Sequence, residues 1–414
     1  MLDRLIKSFV ILVLFIVVSG CSLHTLNTDR KEVGARDPCA GVKILPSLQC
    51  AMTVTAAFDY QGRLWLVWSY AGHVYVNHSD DDGQTLSRPV VVNRVPEAIS
   101  AGGENRPKIV LADKGDIYVS WVTPLANRFS GHVRFARSID QGEHFSEPII
   151  VNDNLDITGH RFEALAVNNR GDIYIAWLDK RDRLRAEQEG RRYTGAALYY
   201  TMSDDGGKSF IPNRKVMDHT CECCRVVMAF DSDQLPVVMW RHIYGDNIRD
   251  HALTKFIDRV TAGVPERVSY DQWQIDACPH HGPAISIAAD GIYHLAWFNN
   301  APQRHGLFYA HSEDKGRHFS KAVSIGNYDN SAAHADVLSQ GDQVYITWRE
   351  FNGEQSQLFV MISVDGGWEW SIPRRLAETT MASDVPFLLD KEGQVYVSWH
   401  ISGQAYRLLA LDAE

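Results

Sequence analysis

The sequence predicts an all-β fold, a propeller of four-stranded antiparallel blades, and three observations predict it. Seven tryptophans, Trp68, Trp121, Trp177, Trp240, Trp297, Trp348 and Trp399, each close a short apolar run, at gaps of 53, 56, 63, 57, 51 and 51 residues. A period of about 50 residues that fills a chain marks a repeat array or propeller. Each unit also repeats one order of β-rich runs. Pro107-Lys-Ile-Val-Leu-Ala112 or Pro283-Ala-Ile-Ser-Ile-Ala288 opens it, Ile117-Tyr-Val-Ser-Trp121 is a second run, and His132-Val-Arg-Phe-Ala-Arg137 is a third. Such runs, bounded by turn residues, read as antiparallel strands, and beyond the N-terminal segment no stretch keeps a helical period for long. The third observation is an octet that follows five of the tryptophans.

The octets begin Ser79-x-Asp81-x-Gly83, Ser138-x-Asp140-x-Gly142, Ser203-x-Asp205-x-Gly207, Ser312-x-Asp314-x-Gly316 and Ser363-x-Asp365-x-Gly367, and each ends on Leu, Phe or Trp. Asp accepts backbone N–H bonds, Gly supplies a positive φ, and the last apolar side chain tucks under the turn. These octets resemble the Asp-box (BNR) repeats of the sialidase superfamily. The resemblance implies that they join third and fourth strands on the face away from the active site, so their aspartates are structural. Seven units imply seven blades, with Val42 to Leu48 supplying a closing strand. The six blades of sialidases are the alternative.

The chain has 414 residues, enough for two or three domains by length alone, but one period spans it, so residues 42–414 read as a single propeller. Its 45% hydrophobic and 22% charged content is ordinary for a globular protein. A net charge of −10 without basic tracts excludes nucleic acid as the expected partner.

At the N-terminus, Arg4 and Lys7 precede the apolar run Phe9 to Val18, too short to span a bilayer. Val18-Ser19-Gly20-Cys21 resembles a bacterial lipobox. The resemblance implies a signal peptide over 1–20, lipidation of Cys21, and a polar tether over 21–41. Ser22, in place of Asp, then implies sorting to the outer membrane, with the lipid bilayer as partner. Export leaves Cys39, Cys50, Cys221, Cys223, Cys224 and Cys278 in an oxidising compartment, where an even number reads first as a disulfide framework.

Function is sought where the repeat breaks. Counted back from the tryptophans, Arg106, Arg161 and Arg225 share one register, and His281, His334 and Asp384 hold it in the last three units. Arg241, Arg349, Glu350 and His400 follow tryptophans, and the fourth unit adds Asp246, Arg249 and Asp250 in a loop. As a set these residues predict a polar pocket on one rim, which binds a carbohydrate or another anion. Arg106, Arg161, Arg225, Arg241, Arg249 and Arg349 are the candidate anion ligands, because guanidinium pairs bidentately with carboxylate.

The sialidase resemblance implies an arginine triad, a tyrosine nucleophile with its glutamate, and an aspartate acid/base. The family's Arg-Ile-Pro string is absent, and Arg106-Pro-Lys-Ile109 does not reproduce its order. No Tyr–Glu pair is placed, although Tyr244 and Glu163 lie in rim-type loops. Glu163, Asp246 and Asp250 are the candidate general acids or bases of a glycoside hydrolase.

The densest departure is Cys221-Glu-Cys223-Cys224-Arg225, with Cys278-Pro-His280-His281 one unit later. The first reading is two disulfides pinning adjacent blade entries. The second is a metal site of Cys221, Cys223, Cys224, Cys278, His280 and His281, for which soft ligands suit copper more than zinc. A redox dithiol is the third.

Overall fold

The computed structural model describes residue 39 and residues 46–412, so the expected signal segment, Cys21 and most of the expected tether lie outside the described residues. Seven antiparallel sheets follow one another along the chain as the blades of a seven-bladed β-propeller. Blade one is typical: Val54–Phe58, Leu64–Tyr70, His73–Ser79 and Val90–Val91, paired in sequence order from the inner strand outward. Blade four has five strands, its outer position shared by Thr261–Ala262 and Glu266–Arg267, and it is also the unit between two octet-bearing units that lacks an octet of its own.

Blade seven has three strands among the described residues, Phe387–Lys391, Gln394–Trp399 and Arg407–Leu411. The stretch ending at Leu48 supplies no fourth strand within the described residues. Leu48–Cys50 is instead a short 3-10 helix, with Ser47 as its N-cap. Gly403 N–H bonds the Gln49 carbonyl, so this segment meets blade seven through its loops.

Each of the seven tryptophans sits on the second strand of its blade and is buried. Their apolar bodies fill the space between blades, where the core is divided into seven clusters. One joins blades one and two through Trp65, Val67, Ile117, Trp121 and Phe145, and the seventh joins blades seven and one through Val54, Trp68, Tyr406 and Leu408. Sheet faces that alternate inward and outward pack in this way without sharing strands.

The octets form one repeated turn. In blade two Ser138 Oγ donates to Asp140 Oδ1 at 2.8 Å and accepts Gly142 N–H at 2.9 Å, while Asp140 accepts His144 N–H at 3.0 Å. Gly142 has φ +83°, and a Cβ there would meet Trp65 of blade one at 2.8 Å. The glycine thus serves both the turn and the close approach of the neighbouring blade.

Candidate functional site

Two polar clusters occupy the residues that open the inner strands. The first is built around Glu104, which precedes the inner strand of blade two. Its buried carboxylate accepts the backbone N–H of Arg225, the backbone N–H of Gly282, and a bond from His334 Nδ1 at 3.3 Å. One side chain therefore ties the entries of blades two, four, five and six. Burial raises its pKa, but the His334 bond and the Arg225 charge outweigh burial and hold Glu104 below the usual carboxylate range. Gly282 is required here, because a Cβ would lie 2.2 Å from Arg225 Cγ. Glu104 precedes the shared register by two residues and was missed by counting that register alone.

Arg106 forms a bidentate pair with Asp384 and also donates Nε–H to the Gly103 carbonyl at 2.6 Å. Arg225 donates to the Pro283 and Ala335 carbonyls at 2.8 and 2.9 Å. Arg241 donates to the carbonyls of Arg249, His281 and Phe298, Arg249 to that of Ile275, and Arg349 to that of Ser383. These five arginines are hydrogen-bonded to the protein's own oxygens.

Arg161 differs. Its half-buried guanidinium lies 5.7 Å from the Phe129 ring centroid and 5.1 Å from that of Phe162, and no hydrogen bond or salt bridge engages it among the described residues. Burial lowers its pKa, opposed by the nearby Cys223, Glu163 and Cys278.

The three candidate acid/base groups are held separately. Glu163 is fully buried, accepts Ser120 Oγ–H at 3.4 Å and lies 4.0 Å from Lys108 Nζ. Burial pushes Glu163 up and Lys108 down to about 8, so each disfavours its own charge. Asp250 is buried against the Arg267 guanidinium. Asp246 is exposed in the blade-four loop, where its carbonyl accepts Gln274 Nε2–H at 2.9 Å.

The second cluster is sulfur. Cys39 and Cys50 form a disulfide, but the two disulfides expected among the other four cysteines are not formed. Cys221, Cys223 and Cys224 come from one turn before the inner strand of blade four, all three buried. Cys221 Sγ lies 3.7 Å from Cys223 Sγ and 3.6 Å from Cys224 Sγ, against about 2.05 Å for a bonded pair. A turn this short converges all three sulfurs on one point instead of pairing each with a distant partner. Cys223, Cys278 and His280 form a second group within 4.8 Å. His281 stands apart from that group, stacked on Phe298 with centroids 4.1 Å apart.

Bonds from Cys223 and Cys224, with the Arg241 and Arg249 charges, hold the Cys221 thiol well below its ordinary range, although burial opposes them. Burial and the bond to Cys221 push Cys224 up, and bonding to Cys221 pushes Cys223 up. A polar cleft of about 370 Å³ lies beside this turn, lined by Arg183, Tyr193, Glu222, Arg249, Asp276 and Cys278. A larger groove, about 510 Å³, runs along the outer part of blade six past Val360, Ile362, Trp370 and Ile372, and holds none of the candidate binding, acid/base or metal residues.

No family model and no curated protein sequence matches the chain. Solved structures do. A Hadza microbial sialidase aligns with TM-score 0.51 at 14% identity, covering 84% of this chain and 76% of its own. A polysaccharide lyase described as an ulvan lyase aligns with TM-score 0.55 at 12% identity, covering 86% and 91%. A Dyadobacter fermentans protein of unknown function aligns with TM-score 0.50 at 15% identity, covering 78% and 96%. The fold is that of a sialidase-like propeller. At these identities the likeness concerns the scaffold, and activity has to be argued from the side chains.

Proposed function

We propose that this sialidase-like propeller is an envelope lipoprotein that captures an anionic carbohydrate on its blade-entry rim. The observation that carries the reading is Arg161, a guanidinium beside Phe129 and Phe162 with no hydrogen-bond acceptor among the described residues. A flat cation beside aromatic faces offers a carboxylated or sulfated sugar both a bidentate ion pair and apolar contact. The structural neighbours supply context: one is a sialidase and one an ulvan lyase bound to a glucuronate–rhamnose sulfate unit.

Binding without hydrolysis is the favoured form. A glycoside hydrolase places two carboxyl groups roughly 5–10 Å apart across the scissile bond. Glu163 and Asp250 are instead held by Lys108 and Arg267, and Asp246 belongs to an exposed loop. Lipidation of Cys21 would tether the chain to a membrane.

A glycan array probed with the full chain tests the reading. The expected result is retention of uronate- or sialate-bearing glycans, weakened about tenfold or more by Arg161→Ala at unchanged melting temperature. Binding to no acidic glycan, or binding indifferent to Arg161→Ala, would sink it. Turnover on a sialoside and uronide panel would replace capture with catalysis.

A further inference from the structure

We propose that Cys221, Cys223 and Cys224 bind one thiophilic d10 metal ion, copper(I) or zinc(II), in the turn that opens blade four. The sulfur geometry is the first support. A tetrahedral ion with metal–sulfur bonds of about 2.3 Å has sulfur–sulfur edges of about 3.8 Å, and the edges from Cys221 are 3.7 and 3.6 Å. Plain van der Waals contact between thiols gives a similar spacing, so the edges need independent company.

That company is charge. Cys221 N–H bonds the Arg241 carbonyl at 2.9 Å, and Arg249 lines the same cleft as Cys278. Both are arginines that the sequence assigns to an anionic ligand. Each thiol that binds an ion releases its proton to solvent, so three thiolates on copper(I), or four on zinc(II), leave two net negative charges. The surrounding cations offset that charge in a buried place where it would otherwise be costly.

A further observation is Trp240. Its indole N–H has no acceptor among the described residues, and the residue belongs to the apolar cluster that holds the three cysteines. Buried indole N–H groups ordinarily find a partner. Trp68, Trp121, Trp177, Trp297, Trp348 and Trp399 all have one.

The two candidate ions divide on the fourth ligand. Cys278 and His280 approach Cys223 but do not join the group that contains Cys221 and Cys224. As it stands the turn is a three-sulfur site, which suits copper(I); zinc(II) would draw Cys278 in to complete four. The cleft lined by Cys278 and Glu222 opens beside the turn.

The test uses the full chain, reduced, loaded separately with zinc(II) and with copper(I), and freed of loose metal by gel filtration. The expected result is close to one ion per chain in at least one arm, with X-ray absorption showing a sulfur shell at about 2.3 Å. Cys221→Ser removes that ion. Cys278→Ser, at an exposed loop position, leaves copper(I) in place and weakens zinc(II) about tenfold or more. The absorption spectrum of the unsubstituted chain stands even where Cys221→Ser fails to fold. Negligible metal in both arms, an oxygen or nitrogen shell, or a disulfide among these three cysteines that re-forms despite metal loading would overturn the proposal.

Discussion

Arg106 and Asp384, 278 residues apart in the chain, meet in a bidentate ion pair, Nη1 to Oδ2 at 2.5 Å and Nη2 to Oδ1 at 2.7 Å. The same Asp384 carboxylate accepts Val54 N–H at 3.1 Å, so blades one, two and seven are joined at their inner ends. Both partners are buried, and losing one strands the other. Arg106→Met and Asp384→Ala are each expected to cost about 3–5 kcal/mol in denaturant unfolding. The double substitution should cost clearly less than their sum, and strict additivity would show that the pair does not couple.

Glu104 gives a prediction with a pH sign. Its pKa is lower in the folded chain than in the unfolded one, because His334 and Arg225 favour the carboxylate. The contribution is present above the unfolded value of about 4.3 and is lost as pH falls below it toward the folded value. Glu104→Gln should therefore destabilise the protein by about 3 kcal/mol or more near neutrality. The gap from the unsubstituted chain should narrow below about pH 4. Melting both proteins across that range checks it, and a gap that widens on acidification refutes the assignment.

Gly142→Ala is expected to lower stability by about 2–4 kcal/mol, from left-handed backbone strain and overpacking together. The Cβ would meet the Trp65 ring at 2.8 Å. Gly115, also at positive φ but with open space around it, is the control, and Gly115→Ala should cost only about 1–2 kcal/mol.

The Cys39–Cys50 disulfide closes a short loop beside the junction of blades seven and one, where His400 Nε2 contacts the Ala51 carbonyl at 3.0 Å. Cys50→Ala should remove about 2–3 kcal/mol. Thermal unfolding with and without reductant would show whether the unsubstituted chain alone responds.

The scaffold was legible because its signals are local. A tryptophan in each second strand and a Ser-x-Asp-x-Gly turn after five of them depend only on neighbours in sequence, and both reappear in the structure. The shared register of Arg106, Arg225, His281, His334 and Asp384 was also readable, since equivalent positions in successive blades must converge. What the register could not reveal was partner choice. Arg106 chooses Asp384 and Arg225 chooses two carbonyls, which depends on how blades face one another across hundreds of residues. Glu104 carried no repeat signal at all. The four cysteines illustrate the same limit. Their proximity followed from position, whereas convergence of three sulfurs within one turn depends on backbone torsions that spacing does not encode.

Among the described residues blade seven has three strands of its own, and no sheet mixes strands from the two ends of the chain. The junction with blade one is made largely of side chains, among them Tyr406 and Leu408 against Trp68, and Lys391 against Asp82. Among the described residues each blade is therefore a sheet of its own strands. Duplicating or deleting a whole unit would then rebuild seams between blades and no sheet, which makes blade number a quantity this architecture can change in single steps.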